Sequence, residues 1–326
     1  MPTLVRAQFS DSDQWSAAIA DWNLQFNQLD CGPLEATVDR VMSSSAVVQR
    51  VQLSRRFHQC GFAPKDVLTF GVPDRPDMLS WYGKSVQHRS MMSFNNRNGF
   101  DAVSEAGFAA TTISLNSGAF LQEAAALGAP DLADDITDVA EQFFVSETDL
   151  GRIRVVVAGL IEVLGREKSA PKAVASLQRD LTYLLVQSVG KPYELTDRTG
   201  YARRQRAVSR ALELIVTMPN TVDLSSVVEQ SGVSYRTLNR AFKERFGVSP
   251  RQYIVATRLI GVRRSLTTSR PGIRVSDVAS DWGFWHFGRF ASDYKRMFAE
   301  LPSETLSKYA ARCKKVPNEA CRRRHN

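Results

Sequence analysis

Residues 282–298 repeat, in diverged form, a segment about 51 residues upstream, and an internal repeat limits the possible folds before any other signal does. The upstream copy runs from Ser231 to Phe246. A short apolar face precedes each copy: Leu224, Val227 and Val228 in the first, Val275, Val278 and Ala279 in the second. Each turns at a glycine, Gly232 or Gly283, and continues with apolar residues four apart: Leu238, Phe242, Phe246 and Phe290, Tyr294, Phe298. That spacing places the side chains on one face of a helix. Each copy then reaches a proline four residues later, Pro250 or Pro302. A short helix, a glycine-centred turn and a second helix with a basic outer face make a helix-turn-helix. Either copy alone also fits an ordinary packed helix pair. The matched duplication, with Arg and Lys on the outer faces, points to two DNA-reading units, at about residues 223–246 and 275–298.

The charge distribution agrees. From Arg198 onward there are 25 Lys plus Arg against 10 Asp plus Glu, a balance of +15, whereas residues 1–197 have 17 against 24, a balance of −7. A basic module joined to an acidic one is the electrostatic footprint of a nucleic-acid-binding domain fused to something else. The 326 residues suffice for two cores. The expected domains are an acidic one at 1–197, a DNA-binding one at 198–312, and a basic tail at 313–326. No apolar run approaches the roughly 18 residues of a membrane span, and residues 1–8 lack the apolar core of a signal peptide. Cys31, Cys60, Cys313 and Cys321 show no C-x-x-C spacing, so reduced thiols and a cytoplasmic location are expected. Cys313, Cys321 and His325 lack a fourth ligand for zinc.

Residues 204–309 resemble the AraC/XylS family of bacterial transcription regulators, most specifically in Gly283, Phe284, Phe290, Tyr294, Phe298 and Pro302. Residues 282–288 and 298–303, and more weakly 70–73, are similar to its ethanolamine-operon activator subgroup. Ala299 departs from the broad family, where a glycine follows the phenylalanine. The resemblance implies an α+β chain: an N-terminal cupin-like β-barrel with flanking helices, then an all-α domain with two helix-turn-helix units joined by a linker helix. It further implies an effector-responsive activator that works with RNA polymerase on double-stranded promoter DNA, and a dimer interface on the helices after the barrel. The subgroup adds a small amine or amino-alcohol effector with a cobalamin.

Residues 36–41, 47–53, 67–72 and 110–115 alternate or are β-rich, with turn residues between them at 61, 64–66, 73–76 and 95–99. Many short strands point to a small barrel or sandwich. Residues 14–22 read as a short helix before it. Three helices follow it: one at 118–127, one burying Val155, Val156, Leu160, Ile161 and Leu164, and one burying Val174, Leu177, Leu181, Leu184, Leu185 and Val189. Their apolar stripes need a cover, either the barrel itself or a second copy. Residues 191–200 read as the interdomain linker. Trp81, Tyr82, Phe57 and Phe94 are pocket candidates of no assigned role, so the effector-binding residues are left open.

In a helix-turn-helix the start of the second helix reaches base edges in the major groove. The outward residues of the first copy are Ser234, Tyr235, Arg236, Thr237, Asn239, Arg240 and Lys243. Arg236 and Arg240 present planar forks suited to guanine, and Asn239 suits adenine. By the family motif Arg236, Asn239 and Arg240 occupy base-contact positions. The outward set of the second copy is His286, Gly288, Arg289, Ser292 and Asp293, with Arg289 as the base reader. Asp293 either accepts from cytosine or orients Arg289 or Lys295. Lys295 and Arg296 are read as phosphate contacts or solvated, Trp285 and Phe287 as core or DNA-backbone packing. Residues 249–266 form a helix opened by Ser249 and Pro250, along which Arg258, Arg263 and Arg264 either meet phosphates or are solvated. Two alternatives stand beside the activator: an effector-independent regulator, and a cupin-type metalloenzyme fused to a DNA-binding domain. The second needs several His plus a carboxylate, and only His58 and His88 lie in this half. No catalytic residue and no cofactor is assigned from the residues.

Overall fold

The alternation read at residues 36–53 is a β-hairpin. In the computed structural model, which describes residues 3–11, 14–15, 19, 22–42, 46–94, 99–129, 142–164, 171–189, 199–268 and 272–315, the strands are β1 (Thr3–Phe9), β2 (Asn23–Gln28), β3 (Ala36–Met42), β4 (Ala46–Leu53), β5 (Phe57–Phe62), β6 (Val67–Pro73), β7 (Leu79–Trp81), β8 (Lys84–Ser85), β9 (Ser90–Ser93), β10 (Phe100–Ser104), β11 (Phe108–Asn116) and β12 (Gln142–Phe144). They form two sheets, of order β1-β3-β4-β11-β6-β9-β12 and β2-β5-β10-β7-β8. All their pairings are antiparallel among the described residues. The expected α+β class is present. The strands stand as two sheets and the barrel is not closed. Strands β1, β2 and β12 lie outside the region that the sequence pattern marked as β.

Period-two alternation makes the larger sheet two-faced. Val48, Phe70, Met91 and Ile113 point to one side, into a core shared with helices α1 (Ser117–Ala126), α2 (Glu147–Leu164) and α3 (Pro171–Val189). Val38, Val51, Ala110 and Met92 point to the other side, against Phe57, Trp81 and Phe100 of the smaller sheet. Leu160, Leu181 and Leu185 of α2 and α3 are fully buried in the first of these cores. Their stripes are therefore covered within the chain's own unit. Val155 does not join the stripe: it is 72% exposed. Of the expected helix at 14–22, Gln14 and Trp15 are helical and most of the rest lies outside the described residues, as do 95–98, 190–198 and the tail beyond 315.

The chain divides into two compact units, Met1–Phe26 with Leu34–Thr196, and Asp197–Asn326 with Asn27–Pro33. The second is helical: α4 (Thr199–Thr217), α5 (Leu224–Ser231), α6 (Tyr235–Phe246), α7 (Pro250–Thr268), α8 (Val275–Asp281), α9 (Phe287–Phe298) and α10 (Pro302–Lys315). Thr199 and Gly200, read as the end of a linker, instead begin α4. The sequence reading missed that helix, although Ala207, Val208, Ala211, Leu212 and Ile215 are buried at helical spacing. No described helix is long and apolar enough to cross a membrane.

Candidate nucleic-acid interface

The first unit is built by caps and a turn. Asp223 accepts a hydrogen bond from the Ser226 backbone N–H at 2.7 Å, which starts α5 and holds its carboxyl below the usual carboxylate range. Gly232 ends α5 at φ 69°, a left-handed conformation that glycine adopts without strain. Ser234 then accepts from the Thr237 N–H and starts α6. Leu238, Phe242 and Phe246 are completely buried on the inner face, with Phe242 and Phe246 ring to ring against Tyr253 of α7. Arg245 also turns inward, donating to Gln205 of α4 at 2.6 Å.

The outer face of α6 exposes Ser234, Tyr235, Arg236, Arg240 and Lys243, whereas Thr237 and Asn239 are half-buried. Arg240 donates to Glu244 one turn on, at 2.8 Å, so its guanidinium is held along the helix. Asn239 Oδ1 is shielded from solvent without a hydrogen-bond partner among the described residues. That burial leaves Asn239 only partly at the surface, in contrast to the outward position read for it.

The second unit repeats the plan with different fittings. Gly283, at φ 76°, makes the turn; a Cβ there would lie 3.0 Å from the Asn220 carbonyl oxygen. Phe290 and Tyr294 are buried, and Tyr294 Oη lies 2.9 Å from Thr305 Oγ1 of α10. His286, Gly288, Arg289, Ser292, Lys295 and Arg296 are exposed on α9 or at its start. Ser292 Oγ donates to the Gly288 carbonyl at 3.0 Å. Asp293 is mostly buried and receives Arg296 at 2.7 Å, with Arg289 at 3.8 Å. The cations that meet Asp293 are thus Arg296, by a hydrogen bond, and more distantly Arg289. Trp285 and Phe287, read as core or backbone packing, are 74% and 46% exposed. They are not core: they stand at the mouth of the turn beside His286.

The linker helix α7 has 19 residues and so runs about 28 Å. Ser249 and Gln252 cap its start reciprocally. Two of its four arginines, Arg258 and Arg263, are tied into the fold. Arg258 donates to the carbonyls of Pro219 at 3.1 Å and Val222 at 2.7 Å, and burial lowers its pKa despite Asp223 nearby. Arg263 pairs with Glu300 at 2.9 Å and lies 4.7 Å over the Phe298 ring. Arg264 stays exposed. The Trp282 indole fills the space over Gly261, where a Cβ would stand 2.1 Å from the ring, and Trp282 Nε1 donates to Ser265. No group of three or more His, Cys, Asp or Glu that could hold a metal occurs among the described residues.

A family model described as "Helix-turn-helix domain" matches residues 227–308. The XylDLEGF operon transcriptional activator 2 of Pseudomonas putida is 34% identical over 118 residues, 36% of this chain and 75% of that protein. The chain spans half of another Pseudomonas putida relative, the XylDLEGF operon transcriptional activator, at 28% identity over 166 residues. A solved structure, of a probable AraC family transcriptional regulator from Rhodopseudomonas palustris, shares 31% identity, covering 32% of this chain and 96% of that one, with a TM-score of 0.30.

Proposed function

Because this chain belongs to the AraC/XylS family of transcription regulators, we propose that it is a cytoplasmic, effector-responsive activator that reads two successive major-groove segments of promoter DNA with one protomer. The observation that carries the reading is the pair of helix-turn-helix units held by one linker helix, each with a buried aromatic face and an arginine-bearing exposed face. Residues 198–312 are the DNA-binding domain. Arg236 and Arg240 of α6 and Arg289 of α9 are its base readers. Ser234, Tyr235, Thr237, Asn239 and Lys243, with His286, Gly288, Ser292, Lys295 and Arg296, complete the two surfaces, and Asp293 positions Arg289. Trp285 and Phe287 supply apolar contact, of the kind that thymine methyl groups accept. The 313–326 tail adds phosphate affinity. Residues 1–197 sense the effector and dimerise the protein, and RNA polymerase is the partner on the promoter. Within the family, the spelling of residues 282–288 and 298–303 favours the ethanolamine-operon activator-like subgroup.

The test is base-resolved binding of the full chain. Arg289→Ala is expected to lose about 1–3 kcal/mol of discrimination at one base position while leaving affinity for random DNA little changed. Equal loss on specific and random DNA overturns the assignment of Arg289. Affinity for both DNAs is expected to fall steeply with salt, since bound Lys and Arg release counterions.

A further inference from the structure

The inner face of the larger sheet carries two polar residues, Gln49 and Thr112, where apolar ones are expected. Gln49 of β4 pairs in register with Thr112 of β11, Thr112 with Gly71 of β6, and Gly71 with Met92 of β9. All four line one cavity of about 60 Å³ between the two sheets. That is room for on the order of four to six waters, or for one small ring. Gln49 is only 5% exposed. Its side-chain amide makes no hydrogen bond to any described residue; the Thr112 hydroxyl, at 3.5 Å, bonds the Gln49 backbone carbonyl instead. A buried amide that opens into a cavity without a protein partner is costly unless something else satisfies it. By contrast Gln59, also on the wall, already donates to Ser104 at 3.1 Å.

The rest of the lining is largely aromatic. Trp81 and Phe100 stack at 5.4 Å with their planes 4° apart, and Phe94 stands edge-on to both, at 4.9 and 4.8 Å. Phe94 reaches this place because residue 71 is glycine: a Cβ there would lie 2.7 Å from its ring. No ionisable side chain is among the described residues that line the cavity. Arg40, which pairs with Gln49 from β3, is not a lining residue and has an interaction of its own. A buried charge needs a partner, so such walls exclude ammonium and carboxylate groups alike. The amine that the subgroup implies meets no carboxylate here, and a corrinoid is far larger than the cavity.

We propose that the effector is an uncharged, ring-sized molecule bearing one hydrogen-bonding group, recognised by the Gln49 amide against the Trp81–Phe94–Phe100 wall. This rests on the reading of residues 1–197 as the sensing domain. Calorimetric titration of the full-length protein with benzamide, toluene, benzylamine and benzoate, four probes on one ring, tests it. Benzamide is expected to bind saturably, toluene about 3–10-fold more weakly for want of the hydrogen bond, and both ions at least about tenfold more weakly than benzamide. Gln49→Leu should weaken benzamide and not toluene, a pattern that loss of folding does not produce. The near-isosteric Gln49→Glu, a second variant should Gln49→Leu fail to fold, should move preference toward benzylamine. The proposal is overturned if either ion binds as well as benzamide, if none of the four saturates, or if Gln49→Leu weakens benzamide and toluene alike. Benzamide binding that leaves DNA affinity unchanged would support the ligand class and refute the effector-responsive reading instead.

Discussion

The two helix-turn-helix units share a core plan and a left-handed turn glycine, and differ at both helix starts and at the end of the second helix. In the first, Asp223 and Ser234 each satisfy a backbone N–H, and Gly232 and Gly247 close α5 and α6 in the left-handed conformation. In the second, Arg274 and His286 stand at the cap positions with no side-chain cap hydrogen bond, and the residue that closes α9 at φ 59° is Ala299. The first unit is therefore completed by its own side chains. The second leaves the first-turn N–H groups of α9 uncapped by side chains and flanks them with exposed Trp285, His286 and Phe287. Uncapped N–H groups at a helix start favour anions, and a DNA phosphate is the anion that this face would meet. The duplication thus preserved what packs and let the ends diverge.

If the cores are equivalent, truncating them must cost the same. Phe242→Ala and Phe290→Ala are each expected to cost about 3–5 kcal/mol, read by hydrogen exchange of α6 and α9 in the full chain, because a chain of two units does not unfold in one step. A gap well beyond that range would break the comparison. The helix ends should respond with opposite signs. Ala299→Gly is expected to stabilise α9 and Gly247→Ala to destabilise α6, each by roughly 1 kcal/mol, since a Cβ in the left-handed region is strained. The same sign for both would show that the ends are not set by this strain.

The smallest effect is that of pH. Burial raises the Glu300 pKa, but hydrogen bonds from Lys308 and Thr305 and the charge of Arg263 outweigh it and leave the group below its ordinary 4.5. Asp223 lies below its ordinary 3.8, chiefly through the Ser226 backbone and side-chain hydrogen bonds. A carboxyl with a depressed folded pKa stabilises above its unfolded pKa and loses that contribution as pH falls through the folded one. Exchange protection of both units should therefore be level near neutral pH and decline below about pH 4.5, that is, below the unfolded pKa of these groups. Glu300→Gln should flatten the decline around α9 and α10, and Asp223→Asn the decline around α5. A decline that both variants leave intact would locate the acid sensitivity elsewhere.

The sequence by itself determined the repeat, its turn glycines and the aromatic stripes, because a four-residue apolar spacing and an obligatory left-handed turn are local properties of the chain. It also determined the α+β order and the basic C-terminal half. What it could not supply was which partners the arginines meet. Only the fold brings the Pro219 and Val222 carbonyls to Arg258. Likewise Glu300 reaches Arg263 from beyond α9, and Asp293 holds Arg296 as well as Arg289. Gln49 read as one polar residue in an alternating strand. The second sheet, packed across from it, made it the polar spot of an aromatic cavity, because only tertiary packing decides whether a sheet face meets water or another sheet.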